Sequence, residues 1–334
     1  MMPSRLRSDR GFSLPELLVA VTLLLIVSST VTSGLLQMTR SQQTIWNRTQ
    51  LHAGVRSATE LLQQEVGQAG RIALPGTVTL TLPTAITGTT ATMSSTVGVY
   101  PGERLLIEPG GNEETVQVSA VNSATQITIS RSVDATDATI QASFTKVHPI
   151  GKAVRVYGGF GSGIVPPQPG FANGSTASVL KLYGDLNSDG SMVYVEYTCD
   201  PLPTPTSVPT AAPPGTGNLY RNVMPFNQAT AKLAPTSTQI LLGNIQINPN
   251  NTACFTYMPS VLPVVNGNTY VLDVAITLSV QTQKKDPITN QYQTETKALL
   301  NVSPRNVFNV WQLASAGTHN RVQPMPPTVT ALLP

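Results

Sequence analysis

Behind a cationic N-terminus, the chain runs from residue 17 to residue 39 without one charged side chain. Within that run, LLVAVTLLLIVSSTVTSGLL (17–36) makes 20 mostly apolar residues. A helix rises about 1.5 Å per residue, so this segment would cover about 30 Å, the thickness of a bilayer's hydrocarbon core. The leading segment MMPSRLRSDRG (1–11) carries Arg5, Arg7 and Arg10 against Asp9. That charge bias keeps an end on the cytoplasmic side. Glu16 stands at the edge of the apolar run, where a carboxylate is costly in lipid and calls for a functional reason.

An ordinary secretory signal shares the cationic start and apolar core, and SSTVTSG (28–34) offers small residues for its cleavage. Three features argue against that reading. Arg10-Gly11 directly precedes the apolar Phe12, Glu16 lies just inside the apolar run, and helical periodicity continues beyond it. In the stretch 38–71, Val55, Leu62, Val66 and Ala69 recur at spacings of seven, four and three, with Ala58 between. This is one face of a helix. Arg56 and Glu60 form an i,i+4 pair, and Pro75-Gly76 ends the element, giving an expected helix from about Leu14 to Gly70.

The string RGFSLPELLVAV resembles the class III signal of type IV pilins and type II secretion pseudopilins. The resemblance implies that a prepilin peptidase cuts after Gly11 and methylates Phe12, which makes Glu16 the fifth mature residue. It also implies a membrane-anchored precursor, with other pilin subunits and an inner-membrane assembly platform as partners. In such a bundle the Glu16 carboxylate of one subunit can pair with the freed amine of another and set the register between them. Pro15 lies in the first turn, where a missing N–H costs nothing. The polar 28–34 stretch suggests a segment that partly unwinds in an assembled filament. ELLQQEVGQAGR (60–71) is similar to the end of the long helix in PilW-type minor pilins.

Beyond Pro75 the helical period gives way to alternation. Strands are expected at 77–82, 103–109, 114–121, 125–131 and 153–158, with Gly110-Gly111-Asn112 as a hairpin turn. They suggest a small β-rich insert module over 75–158. His148, before Pro149, is expected to be structural, and His52 to be exposed or partly packed. A second series follows at 179–184, 192–199, 217–223, 239–247, 253–258, 269–282 and 294–306, of which 269–282 has the length of a central strand. The proline-rich 201–214 cannot be a central strand and reads as an irregular excursion. The expected class is α+β, a long N-terminal helix packed on antiparallel sheet with an additional β-rich insert. Its parts would be a leader (1–11), a transmembrane and assembly helix (12–36), an amphipathic periplasmic helix (37–74), the insert, a pilin-type sheet domain (159–310) and an extended tail (311–334). The succession of second-series strands also resembles PilW-type minor pilins and the larger J-type pseudopilins.

Composition supports a β-rich, extracytoplasmic chain. Charged residues make up 11% of it, against roughly a quarter in an average soluble domain. The net charge of +3 gives no case for nucleic-acid binding. Cys199 and Cys254 have no metal-ligand spacing and in an oxidising compartment are candidates for one disulfide.

Asp185-Leu-Asn187-Ser-Asp189-Gly190-Ser-Met-Val-Tyr-Val-Glu196 matches the twelve-residue calcium loop pattern, with Asp185, Asn187, Asp189 and Glu196 as side-chain oxygens. Both flanks look like strand, however, and a strand leaving Gly190 would carry Glu196 about 20 Å away. A plain β-turn is the competing reading. The three histidines, His52, His148 and His319, fall in no catalytic motif, and no GxSxG, HExxH or P-loop is present. The expectation is therefore a minor pilin rather than an enzyme. A minor pseudopilin of type II secretion, or an adhesin module on a pilin stalk, is the alternative.

Overall fold

The computed structural model describes residues 13–130, 140–201, 216–226, 232 and 234–334. Helix α1, Leu14–Gln68, runs unbroken for 55 residues. The chain divides into two compact units, Met1–Leu51 with Thr282–Gln293, and His52–Gln281 with Thr294–Pro334.

In the larger unit, the rest of α1 buries the expected stripe of Val55, Ala58, Leu62, Val66 and Ala69. The helix ends where Gly70 takes φ +80, a conformation that costs glycine little. Gly70 N–H donates to Tyr183 O, and the Asn306 amide donates to Gln68 O at the helix end. A Cβ on Gly163 would stand 2.2 Å from Gly70 Cα, so the chain turns here through backbone-to-backbone packing. The helix thus stops at Gln68, seven residues before Pro75 and close to the expected end near Gly70. The expected 37–74 segment is too long because the glycine, not the proline, sets the end.

Six strands follow: β1 (Val78–Thr79), β2 (Thr90–Thr92), β3 (Arg104–Ile107), β4 (Glu114–Ser123), β5 (Gln126–Ile129) and β6 (Ala153–Val156). They form one antiparallel sheet in the order β1-β6-β3-β4-β5-β2. Its two edges meet at a Leu80–Met93 bridge, flanked by Thr81 N–H to Thr92 O (2.9 Å) and Ser94 N–H to Thr79 O (2.8 Å). The sheet therefore curls around a core of its own, with Leu105, Ile107, Val116, Val118, Ile127 and Phe144 inside. Joining the edges removes the open strands that would otherwise invite pairing with other chains. The hairpin at Gly110-Gly111 joins β3 to β4, with Ile107 opposite Glu114.

The second sheet holds β8 (Val179–Gly184), β9 (Val193–Asp200), β10 (Gly217–Pro225), β11 (Ile240–Gln246), β12 (Phe255–Met258), β15 (Asp273–Gln281) and β16 (Thr294–Val302). Two short pairs flank it, β13 (Val264–Val265) with β14 (Asn268–Thr269), and β7 (Gly159–Phe160) with β17 (Val322–Gln323). β15 is the central strand. It pairs with β16 over most of its length and with both β12 and β11. The residues expected to form the irregular 201–214 segment lie outside the described residues, Pro201 excepted.

The expected extended tail is not what forms. The segment after β16 folds into α2 (Arg305–Ser315), β17 and α3 (Pro327–Leu332). Val307, Val310 and Ala314 of α2 pack with Tyr270 and Val322, and β17 runs parallel to β7. Val329, Leu332 and Leu333 join a core with Phe160, Tyr183 and Tyr194. Four prolines after residue 322 suggest extension, but Pro327 opens α3, where its fixed φ suits a first turn. In α2, the VxxVxxxA spacing of Val307, Val310 and Ala314 was the available signal, split between the end of the expected sheet domain and the start of the expected tail.

Candidate functional site

The processing residues Gly11 and Phe12 lie outside the described residues. Helix α1 begins directly after them. Ser13 O accepts the N–H of Glu16 (3.0 Å) and Leu17 (3.1 Å). Pro15 occupies the first turn, and Glu16 places its carboxylate there, where the helix dipole favours negative charge. Ser13, Pro15, Glu16, Val19, Ala20 and Leu23 line a shallow apolar groove on one side of the helix.

From residue 13 to residue 43 every position is exposed. Leu17, Leu18, Leu23, Leu24, Leu25 and Ile26 are among the apolar side chains left open. A helix apolar all round needs lipid or protein around it. Its hydroxyls are compatible with either. Thr22 donates to Leu18 O, Ser29 to Ile26 O, Thr30 to Val27 O and Thr39 to Leu35 O, at 2.7–2.9 Å. A hydroxyl bonded to its own helix brings no unpaired polar group into an apolar medium. The polarity of the 28–34 stretch is thereby partly absorbed, and the helix is continuous through it.

Where α1 packs on the sheet, one buried polar cluster interrupts the apolar stripe. Glu65 receives the Tyr197 hydroxyl (2.5 Å) from β9 and the Arg221 guanidinium from β10. Burial beside this carboxylate pushes the Tyr197 hydroxyl far above the ordinary tyrosine range. Sequence reasoning missed this anchor. The signal was Glu65 itself, a carboxylate next to Val66 on the buried face.

The calcium-pattern residues divide between two settings. Asp185 is buried after β8, and its Oδ1 accepts the N–H of Asp189 (3.0 Å) and Gly190 (3.3 Å). Its Oδ2 lies 3.4 Å from Arg71 Nε. Asp189 Oδ1 accepts the Ser191 N–H, and Asn187 lies exposed in the same turn. Glu196 is in mid-strand β9 and faces Lys232 Nζ (2.7 Å), Lys181 Nζ (3.7 Å) and the Tyr194 hydroxyl (2.5 Å). The structure gathers Asp185 and Asp189 in one turn and places Glu196 among cations. Among the described residues, no group of three or more His, Cys, Asp or Glu is arranged to hold a metal.

Cys199 and Cys254 form a disulfide that ties the end of β9 to the segment before β12. His148 is buried, with Nδ1 2.9 Å from Glu108 Oε2 and Nε2 3.0 Å from Glu114 Oε2. Lys152 Nζ sits 2.7 Å from Glu108 Oε1. Hydrogen bonds from Lys152, Asn112 and His148 hold the Glu108 carboxyl down to about 2. No local motif joins residues 34 and 40 positions apart, so this clasp has no counterpart in the sequence reading. His52 lies on the helix surface, 2.6 Å from Glu295.

No curated protein matches this chain. The prokaryotic N-terminal methylation motif matches residues 6–32, which span Gly11, Phe12, Glu16 and most of the exposed apolar helix. This match supports a type IV pilin or pseudopilin, processed by prepilin peptidase and assembled with other pilins, whose long apolar N-terminal helix is compatible with a membrane anchor.

Proposed function

We propose that the protein is a minor type IV pilin. Its α1 anchors the precursor in the inner membrane with the β-rich unit on the periplasmic side. After cleavage at Gly11–Phe12 it enters or primes a pilus at the assembly platform. Glu16 then pairs with the methylated amine of a neighbouring subunit. The chain is a structural subunit, without a reaction of its own. The observation that carries this reading is the coincidence of the 6–32 motif with a helix whose first half is apolar and exposed on every side. The minor role rests on bulk, since two separate β-sheets beside the helix are large for a densely packed main filament. The bonded cysteines suit an oxidising compartment.

The self-contained six-stranded sheet favours a second reading, a ligand-binding module carried on the same stalk. Mass spectrometry of the mature chain tests the main proposal. The expected N-terminus is a methylated Phe12, and an N-terminus beyond residue 28 would return the segment to the secretory-signal reading. Deleting 76–158 separates the two roles: lost piliation indicates assembly, while normal piliation with lost adhesion indicates a carried module.

A further inference from the structure

The loop between β15 and β16, Thr282–Gln293, belongs to the same compact unit as the first half of α1. It is held in one shape. Asp286 is buried and accepts the N–H of Ile288 (2.7 Å) and Thr289 (3.1 Å) and the Gln293 amide. Arg48 Nε donates to Gln293 Oε1 at 2.9 Å, and Thr282 N–H to Gln293 O at 2.9 Å. These bonds fix the loop base against Arg48. The tip then lies beside an earlier stretch of the helix, where Pro287 and Ile288 line a cleft with Ser33, Leu36 and Arg40.

That level of the helix is special. Leu36 closes the apolar run, and Arg40 is the first charge after it. The loop presents the same change of character at the same height. Ile288 is 61% exposed, and Lys284 and Lys285 beside it are exposed as well. The one carboxylate of the loop, Asp286, is occupied by its own hydrogen bonds. An apolar tip flanked by lysines, level with the end of a membrane-length helix, matches the boundary between acyl chains and anionic headgroups.

We propose that Thr282–Gln293 docks on the membrane surface where α1 emerges, with Ile288 at the acyl boundary and Lys284 and Lys285 on the phosphates of anionic phospholipids. The inference rests on α1 being a membrane anchor. The loop adds a second point of attachment and fixes the rotation of the helix relative to the bilayer. Extraction into a filament must then break this contact as well as withdraw the helix.

The full chain, reconstituted in phosphatidylcholine vesicles with or without phosphatidylglycerol, tests this. A polarity-sensitive dye is placed on Thr289→Cys, which leaves Ile288 intact, and on Val27→Cys in a parallel sample. Acrylamide accessibility is then read at both positions. The Thr289 dye should be protected in anionic vesicles and more open in neutral ones. Each lysine near an anionic surface shifts the docked-to-undocked ratio by about fivefold, so K284A/K285A should largely restore its exposure. The Val27 dye should stay protected throughout. A Thr289 dye equally open in both lipids, with Val27 protected, overturns the docking while leaving the anchor intact. Val27 open in both lipids overturns the anchor and the docking with it. Protection at Thr289 that follows protein-to-lipid ratio and ignores lipid charge assigns the loop to a second copy of the chain, and overturns the lipid contact.

Discussion

One helix carries two unlike surfaces. From residue 13 to residue 43, α1 is exposed all round and rich in leucine and valine. From Val55 to Ala69, its apolar side chains form one buried stripe, with Arg56, Glu60 and Gln63 on the outer side. The second surface has its partner within this chain. The first meets only the tip of the Thr282–Gln293 loop near its end and is otherwise open, so its stability must come chiefly from lipid or from other subunits. A helix cooperative over 55 residues can carry both demands, because the folded end nucleates the turns that the unpartnered end extends.

The largest effect that separates the halves comes from core truncation. Leu62 is fully buried, so Leu62→Ala should cost roughly 4 kcal/mol of unfolding free energy. Leu24→Ala, on the exposed half, should change the same urea midpoint by less than about 0.5 kcal/mol. Equal losses from the two would show that the exposed half is packed against the same core, and would break the comparison.

Legibility in the sequence follows the same division. The first half was readable because a membrane-length apolar run and the residues around Gly11 and Glu16 are local. The buried stripe was readable because Val55, Leu62 and Val66 repeat with the helical period. Most strands of the larger sheet were readable from alternation, as β8 and β15 show. What was lost depends on residues far apart in the chain. The end of α1 near Gly70 was legible, but the packing there was not: Phe160 O and Val307 leave no room for a Cβ on Gly70, and nothing near Gly70 announces that. The tail docks because Lys181 Nζ donates to Leu333 O, 152 positions away. Two-residue strands such as β7 and β17 are too short for any periodicity to reveal.

The next effect concerns the polar anchor in the second half. Arg221→Ala leaves the Glu65 carboxylate buried with only the Tyr197 hydroxyl, a loss of about 3 kcal/mol. Restoring Glu65→Gln in the same chain should recover part of it, because a neutral amide tolerates burial better than an unpaired charge. Urea unfolding of the two variants measures this. No recovery would show that Arg221 acts by packing its stem rather than by its charge.

Acid should act on one region and spare the other. The first half of α1 has no titratable group between Glu16 and Arg40. The curled sheet depends on Glu108, whose folded value of about 2 lies below the roughly 4.3 of an unfolded glutamate. A depressed carboxylate stabilises fully above its unfolded value and loses that contribution as pH falls toward its folded one. Unfolding midpoints should therefore drop between about pH 5 and pH 2, while the helicity of the first half persists. Lys152→Met removes the first cause of the shift and should shrink the acid-sensitive part. An unchanged acid profile in that variant would remove Glu108 as its source.

The smallest expected effect is the sharpest control on the comparison, because it uses the same ion types in the opposite setting. Arg56 Nε lies 2.7 Å from Glu60 Oε1 on the outer face of α1, with both side chains mostly exposed. Water screens such a pair, and ordering two long side chains offsets most of the attraction. Arg56→Ala should cost about 0.3 kcal/mol, an amount that vanishes in roughly 1 M salt. The Arg221–Glu65 pair should keep most of its contribution in the same salt, since Glu65 is buried against the sheet. If salt weakened both pairs alike, Glu65 would be reached by solvent, and the second half of the helix would be less firmly seated than its buried stripe implies.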